Sequence, residues 1–139
     1  MLTRLGASVG SLGGYSILVV DDEPFVATGI SEALRDAGAD VVTAHDLRTA
    51  MEAAMNGNVS AAILDVTLGG ADSGAVCSAL NSRQVPFMFV TGYDTHDLLR
   101  EWASVPILAK PTGEAELVAN VEALLNTSGG QSSKLTVQT

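Results

Sequence analysis

The chain has 139 residues, which is enough for one domain with a single hydrophobic core. Hydrophobic residues make up 47% of it and charged residues 17%, a globular composition that excludes an intrinsically disordered protein. The formal net charge of −9, with no cluster of lysine or arginine, disfavours binding to nucleic-acid phosphates or to anionic membranes, so we expect protein or cation partners.

The two ends of the chain differ in composition from its middle. Residues 1–14 and 126–139 are rich in glycine and serine without a sustained hydrophobic period, which predicts two flexible tails around one folded domain at residues 15–125. The first residues contain no apolar stretch long enough for a secretion signal, and no run of about 18 apolar residues occurs. The single cysteine, Cys77, excludes an internal disulfide. We therefore expect a soluble cytoplasmic protein.

Five short apolar runs alternate with stretches in which apolar residues recur at helical spacing. Strands are predicted at residues 16–20, 40–44, 61–64, 86–90 and 106–109. Helices are predicted to start at Pro24, after the cap Asp46, near Asp72 or Ser73, after the caps Asp94 and Thr95, and after Thr112. Strands that are apolar throughout need helices on both faces, so the alternation predicts an α/β fold with a parallel five-stranded sheet.

Several other side chains receive a structural interpretation. We assign Met51 and Met55 to the buried face of the second helix. The large aromatic residues assigned to core packing are Phe25, Phe87 and Trp102. The two histidines, His45 and His96, are interpreted as surface or cap residues, since neither is expected at a strand end that faces acidic residues.

Polar side chains follow four of the five predicted strands. They are Asp21 and Asp22 after the first strand, Asp65 after the third, Thr91 after the fourth and Lys110 after the fifth. In the flavodoxin-like strand order 2-1-3-4-5, the first and third strands are neighbours, and ligands bind in the crevice at their carboxyl ends. One like-charged pair at about 4 Å costs roughly 4 kcal/mol at an effective dielectric near 20. Raised pKa values or a divalent cation must offset this repulsion, and a carboxylate site open to a phosphoryl group suits Mg²⁺.

Most of these residues also have an ordinary structural interpretation. The acids at residues 21–23 would satisfy a helix N-terminus, with Glu23 assigned only to the helix start, while Thr91 alone would be a turn hydroxyl and Lys110 alone a surface lysine. Asp65 has no helix to cap, and the Lys110–Pro111 step is a candidate cis peptide. Taken together, an aspartate, a metal, a hydroxyl and a lysine are the parts needed to move a phosphoryl group onto a carboxylate, with Asp65 as the candidate nucleophile.

Four motifs at successive strand ends carry a resemblance to a known family. LVVDDEP, ILDVTLGG, FVTGY and ILAKP, in this order and spacing, resemble the receiver domain of two-component response regulators over residues 16–125. The resemblance implies the flavodoxin-like (βα)5 fold and a phosphorelay switch. Asp65 would accept a phosphoryl group from a phosphohistidine on a sensor histidine kinase or a phosphotransfer protein.

The same resemblance implies roles for the other polar residues. Mg²⁺ would be ligated by Asp22, Asp65 and the backbone carbonyl of Thr67, with Asp21 acting through water. The phosphoryl oxygens would be contacted by Thr91 and Lys110. The implied protein is a phosphoacceptor switch rather than an enzyme, although it can catalyse its own phosphorylation and dephosphorylation. We expect its output to be contact with a downstream protein, because the segment after Leu125 is too short and too polar for an effector domain.

A narrower resemblance lies in VPFMFVTGYD. It is similar to the PFxFATGY signature of alphaproteobacterial single-domain receivers, often called the FAT GUY group, with Val90 where alanine is usual. This implies a kinase of the HWE or a related class and a role in general stress signalling. Most receivers carry Tyr or Phe three residues before the lysine, whereas this chain has Ile107, a lack that the FAT GUY group shares. Tyr93 is the nearest aromatic that could respond instead, or it is only a surface loop residue. Thr112, where Phe is common, is interpreted as a helix cap.

Two other functions stay open at this point. A phosphohydrolase of the haloacid-dehalogenase type also uses an aspartate at a strand end with Mg²⁺, but it needs a general acid two residues after the nucleophile, where this chain has Thr67. A receiver-like module that signals without phosphorylation is the second alternative, and the presence of every phosphorylation residue argues against it.

Overall fold

The structure, a computed structural model, describes residues 10–92 and 96–126. Within these ranges the chain forms, in order, β1 (Ser16–Val20), α1 (Pro24–Asp36), β2 (Asp40–Ala44), α2 (Leu47–Asn56), β3 (Ala61–Leu64), β4 (Thr67–Leu68), β5 (Ala71–Asp72), α3 (Gly74–Ser82), β6 (Phe87–Thr91), α4 (Asp97–Glu101), β7 (Ile107–Ala109) and α5 (Glu114–Asn126). Every predicted strand is present to within one residue at each end. The short strands β4 and β5 were not expected from the sequence.

Five of the strands form one parallel sheet in the order β2-β1-β3-β6-β7. Because β6 and β7 are its fourth and fifth strands along the chain, this is the flavodoxin-like order 2-1-3-4-5, and the predicted fold class is confirmed. Val20 lies opposite both Ala44 and Leu64, and Thr91 lies opposite Ala109. The strands therefore end together at one edge of the sheet.

Helices cover both faces of the sheet. Leu18 and Val20 of β1 lie in one core cluster, together with buried residues of α2, α3 and α4. The alternate residues Ile17 and Val19 lie in a second cluster, with buried residues of α1 and α5. Successive side chains of a strand point to opposite faces, so a strand that is apolar throughout serves both clusters.

Not all of the large apolar side chains pack as the sequence predicts. Phe87 and Trp102 are buried and meet edge to face, with ring centroids 5.4 Å apart. Phe25 is 94% exposed, so its assignment to the core is wrong. The buried face of α1 includes Ala27, Ile30, Ser31 and Leu34, and Phe25 falls outside that spacing. Met51 packs against the core, whereas Met55, one turn later, is 56% exposed.

The domain begins before residue 15. Residues 11–14 form a turn in which Leu12 is fully buried, and the Leu12 N–H donates to the carbonyl of Ala37 at 2.8 Å. Gly10 has a φ of +76°, and a Cβ there would lie 2.2 Å from the same carbonyl oxygen, so the position requires glycine. The predicted N-terminal tail therefore contains residues that pack on the domain. The remainder of both predicted tails, residues 1–9 and 127–139, lies outside the described residues.

The helices of the described chain are short. The longest, α1 and α5, have 13 residues each. In residues 10–92 and 96–126, no helix combines the length and the apolar character needed to cross a membrane. Cys77 lies buried in α3, where burial raises the pKa of its thiol to about 12, in keeping with a packing role.

Candidate functional site

Asp21 and Asp22 stand immediately after β1. The Asp21 N–H donates to the carbonyl of Ala44 at 3.1 Å, which extends the pairing of β1 with β2 by one bond. The Asp21 side chain is buried, and its Oδ1 accepts a hydrogen bond from the Glu23 N–H at 2.9 Å. Asp22 is exposed. Pro24 then starts α1, as predicted, so the two acids are held between a strand end and a helix start.

Asp65 stands at the same edge of the sheet, directly after β3. Its N–H donates to the carbonyl of Val20 at 2.9 Å, and its own Oδ1 accepts from the Val66 N–H at 2.7 Å. Asp65 is buried, with 7% of its surface exposed. One carboxylate oxygen from each of Asp21, Asp22 and Asp65 lies within 4.8 Å of the others. The structure thus brings together the three acids that the sequence placed at adjacent strand ends.

Lys110 enters this cluster from the end of β7. Its Nζ lies 2.7 Å from Asp65 Oδ2, 2.8 Å from Asp21 Oδ2 and 3.1 Å from Glu23 Oε1. Its N–H donates to the carbonyl of Thr91 at 3.0 Å, and the Lys110–Pro111 peptide is cis. Glu23 occupies the N-cap position of α1 without making a side-chain cap hydrogen bond, so its assignment to the helix start alone was incomplete. Its carboxylate is instead a third anionic partner of the lysine.

At Asp21 and Lys110, burial and hydrogen bonding shift the pKa in opposite directions. Burial raises the pKa of Asp21 above its ordinary value of 3.8, and hydrogen bonds from Lys110 and from the Glu23 N–H offset only part of that effect. Burial lowers the pKa of Lys110, but its hydrogen bonds to Asp21, Asp65 and Glu23 together raise it well above its ordinary value. Lys110 therefore remains charged at neutral pH and offsets part of the repulsion among the acids.

A small hairpin closes one side of the cluster. β4 and β5 are antiparallel and follow Asp65, and the turn between them consists of Gly69 and Gly70, with φ values of +59° and +98°. Glycine adopts such values without strain, and two-residue hairpin turns require them. The Gly69 N–H donates to Asp22 Oδ2 at 2.8 Å. The Gly-Gly pair after TL was the sequence signal that could have predicted this hairpin, whose first residue is Thr67.

An open pocket of about 460 Å³ lies over the acids, lined by Asp22, Glu23, Asp65, Thr67, Gly92 and Lys110. Thr91 precedes Gly92 as the last residue of β6 and is fully buried. Oxygen ligands are those that Mg²⁺ prefers, and it commonly keeps an open side for phosphate and water. Three carboxylates whose oxygens converge within 4.8 Å beside such a pocket fit this ion.

Several residues for which the sequence made predictions belong to the loops and strand ends around the pocket. Tyr93, the candidate replacement for the aromatic switch, and the predicted caps Asp94 and Thr95 lie outside the described residues. Ile107 is 48% exposed at the start of β7. The Thr112 hydroxyl donates to the carbonyl of Gly113 at 3.4 Å, so its described contact is not that of a helix N-cap.

The two histidines have different surroundings. His96 is the N-cap of α4, and its Nδ1 accepts a hydrogen bond from the Leu98 N–H at 3.0 Å, which agrees with the predicted cap role. His45 follows β2, and its Nδ1 lies 3.0 Å from the backbone carbonyl oxygen of Asp21. His45 is exposed, as its interpretation as a surface residue predicts, but the expectation that it does not stand at a strand end facing the acids is wrong.

Comparison with known proteins adds an independent line of evidence. A family model described as the response regulator receiver domain matches residues 17–122. The transcriptional regulatory protein TcrA of Mycobacterium tuberculosis is 35% identical over 124 residues, which cover 86% of this chain and 49% of TcrA. The chain spans about half the length of the curated relatives it matches.

Two solved structures are similar in fold. A response regulator receiver protein from Sinorhizobium medicae WSM419 is 26% identical, with a TM-score of 0.72 and coverage of 82% of this chain and 96% of that one. A CheY-like response regulator receiver domain protein from Methanospirillum hungatei JF-1 has a TM-score of 0.75, with coverage of 84% and 96%. The second is 18% identical, so it is evidence of the fold alone.

Proposed function

The chain belongs to the response regulator receiver domain family, and on that premise we propose that it is a phosphoacceptor switch in which Asp65 receives the phosphoryl group. Receiver domains of this family act in two-component systems and are phosphorylated by histidine kinases. The observation that carries the assignment to Asp65 is the position of Lys110. Its ammonium lies 2.7 Å from Asp65 Oδ2, within a cluster of three acids at the carboxyl edge of the sheet.

The chemistry follows from the parts around Asp65. A carboxylate oxygen of Asp65 attacks the phosphorus of a phosphohistidine, so that a P–O bond forms while the P–N bond breaks, and the leaving imidazole keeps the electron pair and takes up a proton. Lys110 stabilises the negative charge on the transferred group, and the Thr91 hydroxyl is the donor proposed for another phosphoryl oxygen. Asp22, Asp65 and the carbonyl of Thr67 would hold Mg²⁺, with Asp21 acting through water. The ion, when bound, supplies charge neutralisation for the phosphoryl oxygens.

Phosphorylation would change the partners of Lys110. A phosphoryl group adds about −1.5 to −2 charges and competes with Asp21 and Glu23 for the lysine ammonium. Those contacts are 2.8 and 3.1 Å long in the present structure. We propose that their rearrangement, with that of the loops after β3 and β6, alters the surface presented to a downstream protein.

We propose further that the phosphodonor is a kinase of the HWE or a related class, directly or through a phosphotransfer protein, and that the pathway is general stress signalling. The support is the similarity of VPFMFVTGYD to the FAT GUY signature. Ile107 adds to it, because an aliphatic residue stands where most receivers carry an aromatic one. No observation favours a phosphohydrolase, since Thr67 cannot serve as its general acid.

Acyl-phosphate labelling tests the assignment. The chain is incubated with acetyl phosphate and Mg²⁺, and intact-protein mass spectrometry follows the gain of one phosphoryl group. We expect the gain in the wild type and in Asp72→Asn, because Asp72 is an exposed acid of the hairpin outside the three-acid cluster. Asp65→Asn should show none. Equal labelling of Asp65→Asn, or no labelling of the wild type, would refute the proposal.

A further inference from the structure

His45 touches the loop that carries Asp22, a proposed ligand of Mg²⁺, and Asp21, which is proposed to act on the ion through water. It follows β2 directly, and its Nδ1 lies 3.0 Å from the backbone carbonyl oxygen of Asp21. A carbonyl oxygen can only accept a hydrogen bond, so Nδ1 carries the proton in this contact. The imidazole can donate this hydrogen bond both in its neutral Nδ1–H form and when it is protonated on both nitrogens.

The His45 side chain adds a hydrogen bond between the ends of β1 and β2, beyond the last backbone hydrogen bond between them. The last residue pair between β1 and β2 is Val20 with Ala44. Beyond it, the Asp21 N–H still donates to the carbonyl of Ala44 at 3.1 Å, and the Asp21 carbonyl accepts from the His45 side chain. Both peptide groups that flank the Asp21 Cα are therefore fixed to the end of β2.

The second of those peptide groups also determines how Asp22 is presented. The Asp21 carbonyl and the Asp22 N–H belong to one planar unit, so the hydrogen bond to that carbonyl limits rotation at the start of Asp22. The Asp22 carboxylate is held from the other side by the Gly69 N–H, at 2.8 Å from Oδ2. Asp22 is exposed, so packing does little to orient it, and these two contacts do so instead.

We propose that His45 is a positioning residue for the magnesium site, which acts by fixing the Asp21–Asp22 peptide and thereby the direction of the Asp22 carboxylate. The inference rests on the proposed function, because it assumes that Asp22 ligates Mg²⁺. His45 is itself exposed, and water could satisfy the Asp21 carbonyl in its place. The gain from the imidazole is therefore a fixed direction of the peptide rather than an additional hydrogen bond.

Three variants separate the hydrogen bond from the bulk of the ring. The amide nitrogen of Asn can take the place of Nδ1, the amide nitrogen of Gln takes that of Nε2, and Ala removes the donor. Mg²⁺ affinity is measured by calorimetry, and the ¹⁵N chemical shift of the Asp22 amide reports the hydrogen bond to the preceding carbonyl. We expect His45→Ala and His45→Gln to bind Mg²⁺ on the order of tenfold more weakly, the size of effect seen for residues that orient metal ligands. His45→Asn should keep both the wild-type affinity and the wild-type ¹⁵N shift.

Thermal unfolding without metal is the control, and it should be similar for all four proteins because His45 is exposed. Wild-type affinity in His45→Ala would overturn the positioning role while leaving the proposed function intact. Failure of His45→Asn to restore the affinity lost in His45→Ala would also overturn it, because the hydrogen bond would then not be the cause. Failure of the wild type to bind Mg²⁺ would refute the metal site of the proposed function together with this inference.

Discussion

Asp21 is a buried carboxylate whose pKa is raised by its burial. Its side chain accepts hydrogen bonds from Lys110 and from the Glu23 N–H, yet burial still leaves its pKa above the ordinary value of 3.8. In the folded state without metal, burial therefore makes the charged form of Asp21 less favourable than it is in water. A bound divalent cation would reduce that cost, which is the usual conflict between a functional site and stability.

The raised pKa predicts a pH dependence for Asp21→Asn. The folded state binds the proton of Asp21 more tightly than the unfolded chain does, so the stabilising contribution is complete below pH 3.8 and is lost as the pH rises through the raised folded value. Compared with Asp21→Asn, the wild type should gain free energy of unfolding as the pH falls from neutral towards 3.8. Urea denaturation over this pH range, with a chelator present, measures the difference.

Asp46 provides a control of opposite sign. The Thr49 N–H and hydroxyl donate to this N-cap carboxylate of α2 and lower its pKa below 3.8. Its contribution is present above pH 3.8 and is lost as the pH falls through the folded value, so Asp46→Asn should approach the wild type in acid. If the two variants followed the same trend with pH, the explanation based on burial of Asp21 would be wrong.

At the level of elements, the N-terminal turn is part of the hydrophobic core. Leu12 is fully buried with residues of α1 and α5, at the edge of the sheet opposite the acids, since Tyr15 leads from it into β1. Leu12→Ala should lower the free energy of unfolding by about 3 kcal/mol through the lost transfer energy and the cavity left behind. Ser11→Ala, at an exposed neighbour, should change it by less than about 0.5 kcal/mol. Urea denaturation tests both.

Labelling of Leu12→Ala by acetyl phosphate under native conditions shows whether its loss of stability is accompanied by a loss of phosphorylation. Leu12 precedes β1, whereas Asp21 and Asp22 follow it, so Leu12→Ala should still be labelled at Asp65 wherever it is folded. A Leu12→Ala protein as stable as the wild type would show that the turn does not contribute to the core.

The sequence predicted best those strands whose own residues show how they are buried. β1, β3 and β6 are buried on both faces, and because such strands need apolar side chains on both faces, they appear in the sequence as apolar runs. The N-terminal turn was missed because Gly10 and Leu12 depend on Ala37, a partner distant in sequence. The strand ends could be predicted to converge, because parallel topology brings them to one edge.

The finer contacts of the site could not be predicted in the same way. The hydrogen bonds of His45 to Asp21 and of Gly69 to Asp22 link loops 24 and 47 residues apart. Which polar group meets which across such a distance is set by the tertiary arrangement of the loops, and a single sequence carries no pattern for it.

At the level of the whole molecule, an apolar pocket adjoins the acid pocket. Beside the acid pocket lies a second pocket of about 430 Å³, lined by Glu23, Phe25, Val26, Gly29, Ile30, Val90, Lys110, Pro111 and Thr112. Glu23 and Lys110 line both pockets. Phe25 is 94% exposed and lines this pocket together with Val26, Ile30 and Val90, and an apolar patch that includes an aromatic side chain is suited to contact with another protein.

The apolar pocket shares Lys110 with the acid pocket, and the Lys110 ammonium lies 2.7 Å from Asp65. A protein that delivers a phosphoryl group to Asp65 would therefore contact the apolar pocket, whereas a small donor does not need it. Phe25→Ser should therefore lower the rate constant of phosphotransfer from a histidine kinase that phosphorylates the wild type by about tenfold or more, as expected for an aromatic anchor in an interface. Its labelling by acetyl phosphate should be unchanged. Met55→Ser is the matched control, since Met55 is also an exposed large side chain, on α2 and outside both pockets. If Phe25→Ser lowered the rate equally with the kinase and with acetyl phosphate, Phe25 would affect the chemistry at Asp65 rather than contact with the kinase. If Met55→Ser lowered the rate of transfer from the kinase as much as Phe25→Ser does, exposed apolar side chains in general, rather than this surface, would determine the transfer.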